Sequence, residues 1–184
     1  MGRSPSSIRT GYVVEPTLEI TSLILLAASV EVRHATWNDP AIFTQLAEQG
    51  VGFANIDKPM LGKAIRPTDY VTSHVGYVRL HGRNYKNWFD SENRNDRSDY
   101  LYTRKELEGC SELVKTVSQS AEKTFVIANN HPDGKAAVSA LEIEHLLTGE
   151  TVKAPETLVA KYPQIKALVE PVSTLPARRP LSLF

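Results

Sequence analysis

Four short stretches of the 184-residue chain hold the side chains that could do chemistry. They are Arg33, His34 and Trp37; Asp57; Arg79, His81 and Arg83; and Asn129, Asn130 and His131. Guanidinium groups form paired, planar hydrogen bonds to carboxylate or phosphate, so Arg33, Arg79 and Arg83 are candidate holders of a small anion. Ion pairing with Glu31 or Asp57 is the competing use of the same arginines. His81 lies between two arginines that would depress its pKa toward the neutral, proton-accepting form. Asp57 is a carboxylate able to position a hydroxyl or accept a proton. His81 and Asp57 are therefore the candidate catalytic pair, their plainer roles being a hydrogen-bonded wall position and the neutralisation of arginine.

Asn129 and Asn130 carry both donors and acceptors, suited to the hydroxyls of a sugar or the edge of a base, and equally to a turn at a strand end. Trp37, Tyr85 and Trp88 have rings that could stack on a ligand or cover the core. His34, His81 and His131 with Asp57 are the ligand types of a divalent-metal site, but the neighbouring arginines would repel the cation, and no metal or cofactor is expected. No Gly-rich phosphate loop, nucleophile elbow or paired-His metal helix occurs in the sequence.

These residues need a scaffold that brings the ends of several elements together. Ser29 to Arg33 reads as a strand, followed by a helix from Asp39-Pro40 to Gln49 that Gly50 ends. Val51 to Ile56 is a second strand, joined through a Pro/Gly-bearing connection without a clear helix to a third, Gly76 to Leu80. A helix from about Arg104 to Ser120 precedes a fourth strand, Phe125 to Ala128. A helix from about Lys135 to Leu147 and a shorter one near Pro155 to Lys161 follow. Alternating strands and helices predict parallel pairing with right-handed crossovers. In such folds the loops leaving the carboxyl ends of the strands form the ligand face, and every cluster above lies at such an end. Alternation along the third strand would set Arg79, His81 and Arg83 on one face, with Gly82 allowing close approach of a ligand.

A closed (β/α)₈ barrel needs eight strands and about 250 residues, so four strands predict an incomplete TIM-barrel-like α/β domain lacking its amino-terminal half. The expected divisions are a loose leader over 1–17, the barrel-like domain over 18–168 and a tail over 169–184. Exposed strand edges on such a half-barrel would favour self-association.

Lys+Arg and Asp+Glu are equal at 21 each, so no global charge draws the molecule to nucleic acid or to a membrane. Cys110, the single cysteine, excludes an intramolecular disulfide and fits a reducing, cytoplasmic compartment. The apolar run Leu18 to Ala28 is too short to span a bilayer, and Glu15 and Glu19 argue against a signal peptide.

Tyr77 to Asn84 (YVRLHGRN) closely resembles a segment of the YecE-like family, domain of unknown function 72. Val30 to Trp37 (VEVRHATW) is similar to its Glu-x-Arg-His-x-x-Trp segment and Asp57-Lys58-Pro59 to its Asp-x-Pro. Asp99 to Tyr102 followed by Glu106-Leu107, and Phe125 to Pro132 (FVIANNHP) with the helix beyond, also fit. The resemblance runs from about Leu18 to Leu168 and implies a barrel-like fold, loosely related to sugar-isomerase-type barrels, with no established activity. The family's amino-terminal half, with its Gly-rich opening and early strands, has no counterpart, which fits a truncated reading frame. The functional expectation is an enzyme-like pocket for a small anionic, hydroxyl-bearing molecule. A nucleic-acid binding or processing role and an inactive fragment are the alternatives.

Overall fold

The strand sequences explain the layering of the protein. The computed structural model describes residues 8–9, 28–88 and 94–173. Gly52–Asp57 (β3) is buried along its whole length, as a strand covered on both faces must be. It pairs in parallel with Ser29–Val30 (β2) on one side and Val75–Leu80 (β4) on the other. Lys123–Ala128 (β5) pairs with β4 over six residues, and Ile8–Arg9 (β1) adds two residues at the far edge of β5. The order β1-β5-β4-β3-β2 is parallel throughout, in keeping with the incomplete barrel-like α/β fold expected.

Helices cover one side of this sheet. Pro40–Glu48 (α1) starts at Asp39, whose side chain accepts from the Ala41 amide, with proline in the first turn where its missing N–H costs nothing. Phe43 of α1 packs edge-on against Phe53, in a cluster with Val32, Ile56 and Ile65. Arg104–Ser120 (α2) opens with a reciprocal capping box between Thr103 and Glu106. Its Leu107, Cys110, Val114 and Val117 meet Val78 and Leu80 of β4, Val126 of β5 and Ile143 of Lys135–Thr148 (α3). Burying each such side chain stabilises the fold by about 1.5–3 kcal/mol before conformational entropy is counted. The opposite side chains of the same strands, Tyr77 and Arg79 of β4 and Phe125 and Ile127 of β5, face a cleft.

The connection from Lys58 to His74 contains no helix, and Asn55 replaces one as its anchor. The fully buried Asn55 amide donates to the Tyr70 and Tyr77 carbonyls, while its oxygen accepts from Thr68 Oγ1 and the Tyr70 amide. Unpaired, those buried groups would each cost about 1–3 kcal/mol.

Three short strands depart from the sequence expectation. Val152–Pro155 (β6) and Val169–Val172 (β7) form a separate parallel pair, packed with Glu156–Lys161 (α4) around Val159, Tyr162 and Ile165. β7 thus lies beyond the boundary drawn at residue 168, and β1 lies within the segment read as a leader. Except for Ala28, the apolar run Leu18 to Ala28 lies outside the described residues. Among the described residues no helix is long and apolar enough to cross a membrane.

Candidate functional site

The carboxyl ends of β2, β3, β4 and β5 bring the arginines, His81 and Asn129 together, but into two separate centres. Arg79 and His81 alternate on one face of β4 and its extension, where the His81 amide still donates to the Asp57 carbonyl at 2.8 Å. Gly82 then turns the chain at φ 88°. Arg83 therefore leaves that face, which corrects the expectation that three donors line one wall. A Cβ at Gly82 would meet Tyr100 Cβ at 2.8 Å, so its missing side chain accommodates Tyr100, not a ligand.

The first centre gathers on Glu31, just beyond β2. Arg33 Nε and His81 Nε2 each lie 3.0 Å from Glu31 Oε1, and Arg79 Nη1 lies 2.8 Å from Oε2. Arg79 Nη2 also reaches Asn129 Oδ1 at 3.0 Å, and Asn129 Nδ2 lies 3.2 Å from His81 Nδ1. These contacts close a ring: Arg79, Asn129, His81, Glu31 and back to Arg79. Because guanidinium offers only donors, the Asn129 carbonyl faces Arg79 and its amide faces His81. His81 Nδ1 then accepts, so the imidazole carries its proton on Nε2 and donates it to Glu31.

Burial alone would raise the Glu31 pKa, but hydrogen bonds from His81 and Arg33 and the neighbouring charges outweigh it and hold the carboxyl at about 2. Lys58 belongs to the same neighbourhood: its buried Nζ donates to the Arg33 carbonyl at 2.8 Å. Burial and the nearby Arg33 lower its pKa, and Glu31 opposes them. Glu31 and Arg79 also line a cleft of about 350 Å³ with Ser29, Ala54, Tyr77, Phe125 and Ile127. Arg79 Nε is buried without a hydrogen-bond partner.

The second centre gathers on Asp57 at the end of β3. Asp57 Oδ1 accepts from Tyr102 Oη at 2.8 Å and Arg83 Nε at 2.9 Å, while Arg83 Nη2 reaches Oδ2 at 2.6 Å. Tyr102 Oη accepts in turn from the Gly82 amide at 2.8 Å. Arg83 Nη1 lies 3.5 Å from Glu106 Oε1, which also accepts from Tyr100 Oη at 2.7 Å. The Asp57 hydrogen bond raises the Arg83 pKa against the effect of burial, and burial with Asp57 pushes the Tyr102 phenol up. Asp57 is buried and both its oxygens are occupied, so it clamps Arg83 and Tyr102 where the sequence suggested a proton acceptor.

The remaining predicted residues are dispersed. Asn130 is fully buried and its amide donates to the Tyr100 carbonyl and Ser139 Oγ, turned away from Asn129. His34 caps the turn Ala35–Trp37 by accepting from the Thr36 amide, and His131 contacts the Asn129 carbonyl, both exposed. Among the described residues no group of three His, Cys, Asp or Glu side chains is placed to hold a metal ion. Sequence reasoning gave Glu31 only the role of a counter-ion, and missed Lys58, Tyr102 and Glu106. The spacing Glu31-x-Arg33, which sets both on one strand face, was the available signal. A larger apolar groove of about 1220 Å³ lies among β5, α3, β6 and α4, but it contains no arginine or histidine.

No curated protein matches the sequence. The model of a protein family described as "Protein of unknown function DUF72" matches residues 16–163. The fold is similar to the crystal structure of a DUF72 family protein from Thermotoga maritima, with 34% identity and a TM-score of 0.61 over 65% of this chain and 45% of that one. A DUF72 family protein from Enterococcus faecalis is similar with 28% identity and a TM-score of 0.60, covering 76% of this chain and 56% of that one. The chain thus spans about half the length of the solved relatives. With its strand-end segments, parallel sheet and family match in agreement, the chain belongs to the DUF72 family of proteins of unknown function.

Proposed function

We propose that the Glu31 centre binds a small anionic, hydroxyl-bearing molecule in an enzyme-like pocket. The observation that carries this reading is the charge balance: among the described residues, Arg33, Arg79 and Lys58 gather around one carboxylate, Glu31. An incoming phosphate or carboxylate would complete that balance through charge-assisted hydrogen bonds, with the spare Nε donor of Arg79 available on rearrangement. The Ser29 and Tyr77 hydroxyls and the Glu31 carboxylate line the same cleft and suit the ligand's hydroxyls. Any proton step would run through the hydrogen-bonded Glu31–His81 pair, in place of the His81–Asp57 pair. A reducing, cytoplasmic setting, suggested by the single buried thiol of Cys110, forms part of the same reading.

Calorimetric titration with ribose 5-phosphate at low salt tests the proposal. The wild-type chain should bind, and Arg79→Ala should weaken binding by about tenfold or more, with Arg79→Lys intermediate. Equal affinity in all three chains, or no binding by the wild type, would refute it.

A further inference from the structure

Three large side chains, two aromatic and one a thioether, stand exposed on the loops beside this site. Trp37, Met60 and Tyr85 are 43%, 40% and 52% exposed, and they lie on the loops leaving β2, β3 and β4 in turn. Tyr70, also exposed, makes the contrast: it stacks on Phe43 at 3.7 Å and covers the core.

The rim loops are tied to one another and to the charged centre. The Ala35 amide, at the start of the turn bearing Trp37, donates to the Lys63 carbonyl at 2.9 Å. The Met60 amide lies 3.4 Å from Tyr85 Oη. Trp37 follows Arg33 by four residues and Met60 follows Lys58 by two. At about 3.5 Å per residue, each backbone lies within about 14 Å of its cation's backbone. That is the span of an anion joined to a ring through a short spacer.

From this juxtaposition we infer that the ligand is an anion linked through a hydroxyl-bearing spacer to a flat ring, the ring resting against Trp37 and Tyr85 while the anion meets Arg33 and Arg79. The inference rests on the anion-binding reading above. Aromatic side chains hold flat rings by offset or edge-to-face contact, and the Met60 thioether adapts to a ring edge. A ring-free anion would leave this surface wet.

The test compares adenosine 5′-monophosphate with ribose 5-phosphate, which share phosphate and sugar and differ by the ring. Adenosine 5′-monophosphate should bind about tenfold more tightly to the wild-type chain. The double variant Trp37→Ala, Tyr85→Ala should abolish that difference and leave ribose 5-phosphate affinity unchanged. Equal affinities in the wild-type chain would overturn the inference while leaving anion binding intact, as would an advantage that persists in the double variant. Failure of both probes to bind would overturn the anion-binding reading and this inference with it.

Discussion

The Glu31 and Asp57 centres lie at neighbouring strand ends and are built from the same groups in opposite proportion. At Glu31, two guanidinium groups share one carboxylate; at Asp57, one guanidinium contacts two, Asp57 and Glu106. Glu31 lines a cleft and its side chain remains 18% exposed, whereas Asp57 is closed over by Arg83 and Tyr102. A centre whose one guanidinium is held by two carboxylates, Asp57 buried, describes a clamp that holds loops. A centre with more cations than carboxylates that opens on a cleft is the one proposed to take a ligand. Arginines four residues apart, Arg79 and Arg83, can therefore serve different ends, and only their partners tell them apart.

Removing the clamp should have the largest effect. Asp57→Ala leaves Arg83 with only its longer contact to Glu106 and the buried Tyr102 hydroxyl without its acceptor, and urea unfolding should register a loss of about 3–5 kcal/mol. A loss below about 1 kcal/mol would make Asp57 dispensable to the fold and break the comparison. Gly82→Ala strains the positive φ and presses on Tyr100, so the same measurement should give a loss of about 2 kcal/mol.

The Glu31 centre should instead appear in the acid limb of stability. Its folded pKa of about 2 lies below the ordinary value of 4.5, so its contribution is complete above about pH 4.5 and is lost as pH falls through 2. After screening at a partly exposed site this amounts to about 1.5 kcal/mol. Unfolding followed from pH 5 to 2 should show that slope in the wild-type chain and a shallower one in Glu31→Gln. Equal slopes would remove Glu31 from the account.

The fold was legible in the sequence wherever the signal was local. Asp39-Pro40 marked the start of α1, and the apolar spacing of Leu107, Cys110, Val114 and Val117 marked the buried face of α2. Strands β6 and β7 escaped because each is short and carries a proline, Pro155 and Pro171, which reads as a break. At the site, the residue types were legible but their pairing was not. Glu31 meets Arg79 and His81 across 48 and 50 residues of chain, a distance over which spacing carries no information. The alternation of Arg79, His81 and Arg83 failed at Gly82, which the sequence marked as permissive at the strand end without showing that its left-handed backbone would turn Arg83 away. Asn129 and Asn130 separated for the ordinary reason that adjacent side chains point opposite ways.

In the proposed site Glu31 is the one counter-charge among the described residues, and titration of Glu31→Gln with ribose 5-phosphate tests that role most directly. Neutralising the one carboxylate should tighten anion binding about fivefold, the Coulombic effect expected across a partly solvated site. Weaker or unchanged binding in a folded Glu31→Gln chain would contradict the account.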